Sequence, residues 1–296
     1  MDFNSELSRR KTIIDQALLT ALPAEDLYPA SISQAMRYAV LNGGKRLRPI
    51  LVLEAARIVG ASDDTVMPAA LALEMIHCYS LVHDDLPAMD DDDFRRGKPT
   101  CHRVYGEAIA ILAGDALLTK AFEVLSDINL FPGVTPERLI KAAGEIARAA
   151  GHTGMIAGQV VDLESEGKTI DEATLRYMHQ SKTGALFRAS LLAGALLGGA
   201  NDEQLAALAE FSGHFGLAFQ IADDILDVVG DEAVIGKAVG SDERKEKSTF
   251  VSLFGLEESR RMARESVGTA LNSLSGFGET AEFLRSLTRY IIERDS

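Results

Sequence analysis

The chain holds only two cysteines, Cys78 and Cys101, and no CxxC spacing joins them. That scarcity excludes a disulfide framework and a zinc-finger pattern, and it points to reduced thiols in a cytosolic protein. Basic charge is short as well: 30 Lys plus Arg stand against 44 Asp plus Glu, for a net charge of -14. Such a balance disfavours broad attraction to nucleic acid or to an anionic membrane. An anionic ligand must therefore be captured locally, through a metal or a clustered basic site. The amino-terminal stretch MDFNSELSRRKTIIDQALLTAL lacks a signal-peptide core, and the apolar run ASLLAGALLGGA is too short to span a bilayer. The expectation is a soluble, cytoplasmic protein.

Strand signals are scarce, and the one Asn-Gly pair, Asn42-Gly43, lies between two helical runs. Helical periodicity takes their place, as in Leu205, Leu208 and Phe211. Thr135-Pro136-Glu137 reads as a helix start, and Gly60, Gly151, Gly167 and Gly199 sit where periodic runs end. No internal repeat or low-complexity linker divides the chain. Its 296 residues, 47% of them hydrophobic, are enough for a large buried core. These features predict an all-α, single-domain bundle of ten or more helices spanning residues 1–296. The stretches near 87–101 and 230–249 are charged and glycine-bearing, the profile of functional loops.

Against this helical background, DDLPAMDDDD places six aspartates between Asp84 and Asp93. Crowded like charges require solvent or a cation. Asp84 and Asp90 would point to different sides of a straight helix, but Pro87 disfavours helix before it, so Asp90 is expected to fold back from a loop. His77, seven residues before Asp84, lies near the same face. A second cluster, Asp223, Asp224 and Asp227, interrupts an apolar helical run, where unpaired charge is costly. Asp223 and Asp227 stand one turn apart on one face, with Gln220 a turn earlier. Both clusters suit Mg2+ completed by water and phosphate oxygens. A calcium loop fits poorly, because no glycine or glutamate falls at the required positions. For DDDD alone, a solvated surface loop is the competing reading.

Basic residues cluster in LNGGKRLRP, where Lys45, Arg46 and Arg48 follow a Gly-Gly turn at a helix start that suits phosphate. Arg95 and Arg96 follow the first acidic cluster, and Lys182, Thr183, Lys237 and Lys247 lie further on. A metal-bound anion and a directly bound anion need different linings, carboxylates in one case and Arg, Lys and His in the other.

The ordered series GGKRLRP, HDDLPAMDDDDFRRGKPTCH, GQVVDL, HQSKTGALFRAS, FQIADDILDVVGD and GKAVGSDERKEKST resembles the trans-isoprenyl diphosphate synthases, and among them the bacterial farnesyl diphosphate synthases. The match runs from about residue 35 to 255. The resemblance implies a helical bundle around a central cavity and a homodimer through apolar helices. It implies that Asp84, Asp85, Asp90, Asp223, Asp224 and Asp227 hold about three Mg2+ ions on an allylic diphosphate. Arg95, Lys182 and Lys237 would touch that diphosphate, with Lys247 over the site and Thr183 and Gln220 shaping it. Lys45, Arg48, His77 and Arg96 would bind isopentenyl diphosphate without metal. Tyr79, five positions before the first aspartate, would block the tunnel for the growing chain and favour a fifteen-carbon product. Near Lys247 the sequence departs from the family pattern at Glu246 and at Phe250-Val251. Geranyl or geranylgeranyl synthesis, a terpene cyclase and a noncatalytic partner subunit are the competing functions.

Overall fold

The computed structural model describes residues 2–230 and 247–293. It is a helical bundle, as the periodicity predicts. The first half runs through α1 (Phe3–Ala21), α2 (Ala30–Leu41), α3 (Leu47–Ile58), α4 (Asp63–Asp84), α5 (Cys101–Tyr105), α6 (Glu107–Ser126) and α7 (Pro136–Ala150). The second half comprises α8 (Met155–Ser165), α9 (Glu172–His179), a π-helical turn at Gln180–Gly184, α10 (Ala185–Gly198) and α11 (Asp202–Val229). It ends in α12 (Phe250–Phe254), α13 (Leu256–Ser273) and α14 (Glu282–Glu293). Among the described residues the only strands form a short hairpin, Phe94–Arg95 against Lys98–Pro99.

Helix ends follow local chemistry. Thr135 caps α7 by accepting the Arg138 N–H, with Pro136 at the first helical position. Asn201 and Gln204 form a reciprocal capping box on α11. Gly199, at φ 88°, closes α10 in a left-handed conformation.

At the centre stands α4, packed on α3, α6 and α10. By length and composition alone it could cross a membrane, a possibility the shorter ASLLAGALLGGA run did not reveal. Its apolar residues are instead consumed by packing: Val66, Ala70, Leu73 and Ile76 are fully buried against neighbours such as Ile50 and Leu117. Each large side chain so buried contributes roughly 1.5–3 kcal/mol. A second cluster, built on Phe187, Phe211 and Phe215, joins α10 to α11, with the Phe187 and Phe215 rings edge to face at 5.4 Å. These two clusters position α4, α10 and α11, which carry or flank much of the site.

Candidate active site

At the end of α4 the chain turns as Pro87 requires. The Asp90 N–H bonds the Asp84 carbonyl at 2.9 Å and the Asp92 N–H bonds the Asp85 carbonyl at 3.2 Å, so the loop folds back over the helix terminus. Asp85 is buried, and Arg95 on the hairpin reaches it through Nε at 2.7 Å. Burial raises the pKa of Asp85, against the opposing pull of Arg95. Asp91 and Asp93 are exposed, so the solvated-loop reading holds for them alone.

The π turn supplies the opposing cation. Lys182 Nζ lies 2.7 Å from Asp162 on α8 and 3.9 Å from Asp84. Lys247 reaches the same group, at 3.3 Å from Asp162 and 3.5 Å from Asp90. Burial alone would depress the Lys247 pKa, but Asp162 and Asp90 hold it raised. Gln159, one turn before Asp162, donates to Asp84. Gln159 and Asp162 thus join the acidic group, although sequence reasoning left them unassigned within GQVVDL. Their spacing of three on a short helix was the available signal. Gly158 lets α8 approach this closely: a Cβ there would stand 2.1 Å from the Lys182 backbone nitrogen.

Thr183, next along the π turn, donates to Gln220 Oε1 at 3.2 Å, and Gln220 Nε2 donates to Asp224 at 2.9 Å. Asp224 is buried and its other oxygen accepts the Phe250 N–H at 2.8 Å, which ties α12 to α11. His179 stacks on the Phe250 ring at 5.5 Å, and burial pushes its pKa down to about 4. A continuous series of contacts thus joins the first acidic cluster to the second through Lys182 and Thr183. Asp227 is buried one turn beyond Asp223 on the unbroken α11, the predicted arrangement. Lys237 and Glu246 lie outside the described residues.

Asp223 also lines a cavity of about 650 Å³ with Lys45, Arg48, His77, Arg95 and Arg96. Arg48 sits over the Phe187 ring at 4.9 Å and Lys45 over Phe219 at 5.9 Å. Burial pushes the Arg48 pKa down to about 10, still charged at neutral pH. Burial, then Arg48 and Arg96, push His77 well below its usual value, so His77 lines the cavity as a neutral imidazole. Gly44, at φ 124°, leaves room for the Arg96 guanidinium, which a Cβ would meet at 2.7 Å. Arg46 corrects the simplest reading of the basic run. Its φ of 52° turns it inward, where it is buried against Glu74 at 2.6 Å and Asp15 at 2.7 Å. Of the three cations in LNGGKRLRP, Arg46 also borders the cavity but is held by Glu74 and Asp15.

Among the described residues no three Asp, Glu, His or Cys side chains converge on one metal-sized point. The donor set nonetheless fits Mg2+, which takes one or two carboxylates and completes its shell with water and phosphate. Asp84, Asp85 and Asp90 offer only hard oxygens, and Lys182 and Lys247 stand among them as cations of the kind a polyphosphate pairs with. Behind them, Tyr79 is buried with its ring edge-on to His83 at 5.8 Å, and its hydroxyl has no hydrogen-bond partner among the described residues.

The polyprenyl synthetase family model matches residues 29–282. The farnesyl diphosphate synthase of Escherichia coli (strain K12) is 45% identical over 299 residues, covering 100% of both chains. The heterodimeric geranylgeranyl pyrophosphate synthase large subunit 1, chloroplastic, of Arabidopsis thaliana is 44% identical, covering 100% of this chain and 80% of that one. Among solved structures, an FPP/GFPP synthase from Zymomonas mobilis in its apo form superposes with a TM-score of 0.87 at 39% identity, over 98% and 99% of the two chains. The two acidic clusters, the basic cavity and the all-helical fold agree with these likenesses, and the chain belongs to the polyprenyl synthetase family.

Proposed function

We propose that the chain is a trans-prenyltransferase that condenses dimethylallyl or geranyl diphosphate with isopentenyl diphosphate, giving farnesyl diphosphate and inorganic diphosphate. The observation that supports this reading is an acidic group threaded with cations beside a cavity rich in Lys, Arg and His. The first comprises Asp84, Asp85 and Asp90 with Lys182 and Arg95; the second is the cavity of Lys45, Arg48, His77 and Arg96.

Asp84, Asp85 and Asp90 on one side and Asp223, Asp224 and Asp227 on the other would hold Mg2+, about three ions per site. When bound, the metal stabilises negative charge on the departing diphosphate. Asp224 has its oxygens occupied by Gln220 and the Phe250 N–H, so it also fixes the helix that carries its neighbours. Lys182 and Arg95 add positive charge at the leaving group, Lys247 does so from above, and the family resemblance gives Lys237, outside the described residues, the same role. The allylic carbon–oxygen bond breaks with its electron pair leaving on diphosphate. The isopentenyl double bond then attacks the allylic cation to form the new carbon–carbon bond. A proton lost to the departed diphosphate restores the double bond. Lys45, Arg48 and Arg96 hold the isopentenyl diphosphate, His77 donates one N–H to it, and the Phe187 and Phe219 rings shield the cation from water.

Tyr79 sets the floor at fifteen carbons. A single catalytic domain spanning 1–296, a cytoplasmic location and a homodimer complete the reading. Exposed Ile111 and Leu112 on α6 with Ile156 and Val160 on α8 support the homodimer. Mass spectrometry of the products formed from dimethylallyl and isopentenyl diphosphates with Mg2+ tests the reading. A fifteen-carbon diphosphate is expected. A twenty-carbon product would reassign the chain to geranylgeranyl synthesis, and no product from either allylic substrate would leave the noncatalytic subunit.

A further inference from the structure

The cavity that contains Lys45, Arg48 and Arg96 is walled by the two terminal helices: Leu7, Ser8 and Lys11 from α1 face it, with Leu287, Tyr290 and Ile291 from α14. The position of α1 is fixed on both sides of Lys11. One turn after it, Asp15 accepts from Arg46 Nε at 2.7 Å, beside Lys45 in sequence. Towards the other end, Phe3 packs on Phe283 and Tyr290 at 5.5 and 5.3 Å.

Asp15 is also the residue at i+4 with which a helical lysine would ordinarily pair. It is engaged by Arg46, and one turn before Lys11 stands the apolar Leu7. Among the described residues no carboxylate pairs with Lys11. Glu74, the other carboxylate beside Asp223 on the cavity wall, is itself paired with Arg46 at 2.6 Å. A half-buried ammonium without a counter-charge among the described residues, on the wall of a cavity already rich in cations, raises the local potential. A multivalent anion relieves it.

We propose that Lys11 is a further binding residue for the directly held diphosphate, which makes the N-terminal helix part of that site. This rests on the two-diphosphate reading above. It assigns a role to a residue outside the motif series, and the role is one of binding, not of chemistry.

Inorganic diphosphate titrated into the full chain in EDTA by calorimetry tests it without requiring turnover. Lys11→Ala is expected to raise Kd by about three- to tenfold, and Lys11→Arg to restore it. An unchanged Kd in Lys11→Ala, or no binding to the unaltered chain, overturns the proposal. In steady-state assays the same variant should raise KM for isopentenyl diphosphate while kcat and the allylic KM stay put. If both KM values rise together and Tm falls, Lys11 only supports the fold and the proposal is overturned. Weakened diphosphate binding in Lys11→Ala with no prenyl product from the unaltered chain would uphold this role and sink the condensation reading instead.

Discussion

His77 lines a cavity rich in cations yet carries no charge itself, because burial and the nearby Arg48 and Arg96 push its pKa well below the usual value. On the proposed function, what it offers a diphosphate is a single hydrogen bond from a ring N–H. A neutral amide can do the same. His77→Gln is therefore expected to keep KM for isopentenyl diphosphate within about threefold, while His77→Ala raises it about tenfold, the worth of one hydrogen bond to a charged group. Equal losses in the two variants would show that shape, not donation, is what the site needs. At Tyr79 the buried hydroxyl, without a partner among the described residues, predicts a second contrast. Tyr79→Phe should leave both product length and stability unchanged or improved, since it removes an unsatisfied polar group. Tyr79→Ser should lengthen the product, as read by mass spectrometry. Residue types were legible in the sequence: clustered aspartates call for cations, and clustered lysines and arginines for anions, by what they are. Their direction was not. Both Arg46 and Arg48 border the cavity, and they are indistinguishable until the left-handed backbone at Arg46 gives one to Glu74 and Asp15 and leaves the other over the Phe187 ring.

Secondary elements set those directions, and the π turn at Gln180–Gly184 has the largest effect. It presents Lys182 to Asp162 and Thr183 to Gln220 from adjacent positions. Gly158 on α8 is shaped around it, so Gly158→Ala must displace backbone and is expected to cost about 1–3 kcal/mol and to lower kcat. Gly268 on α13 is the control: a Cβ there meets nothing within 4 Å, so Gly268→Ala should stabilise by about 0.5–1 kcal/mol with activity unchanged. Thermal or denaturant unfolding together with turnover distinguishes the two. His179, just before the turn, gives the bundle a pH dependence. Its pKa falls from the ordinary 6.5 to about 4, mainly through burial. Between those values the unfolded chain holds a proton that the folded chain does not, so stability falls as pH falls, by up to about 1.4 kcal/mol per pH unit. His179→Phe, which keeps the stack on Phe250, should flatten that slope in urea midpoints measured from pH 7 to pH 5. The break at Pro87 and the fold-back of Asp90 were legible because proline acts locally. The π turn and the Phe94–Pro99 hairpin were not, since both depend on contacts with helices distant in the chain.

For the whole molecule, the all-helical fold was readable because 3.6-residue periodicity repeats along nearly its full length. Which faces meet was not, because that depends on packing around α4 and on the buried Arg46–Glu74 pair. The assembled chain brings Asp84, Asp85 and Asp90 and the cavity of Lys45, Arg48 and Arg96 together around the π turn, with Lys182 near Asp84 and Thr183 bordering the cavity, and the proposed function gives each its own diphosphate. This division predicts that the two diphosphates depend differently on metal. Calorimetric titration of isopentenyl diphosphate and of a non-ionising geranyl thiolodiphosphate, each with Mg2+ and again in EDTA, measures it directly. Isopentenyl diphosphate should bind with similar affinity in both conditions, and the geranyl analogue should bind only with Mg2+. Metal dependence shared by both ligands, or by neither, would contradict the division of labour between the two sites.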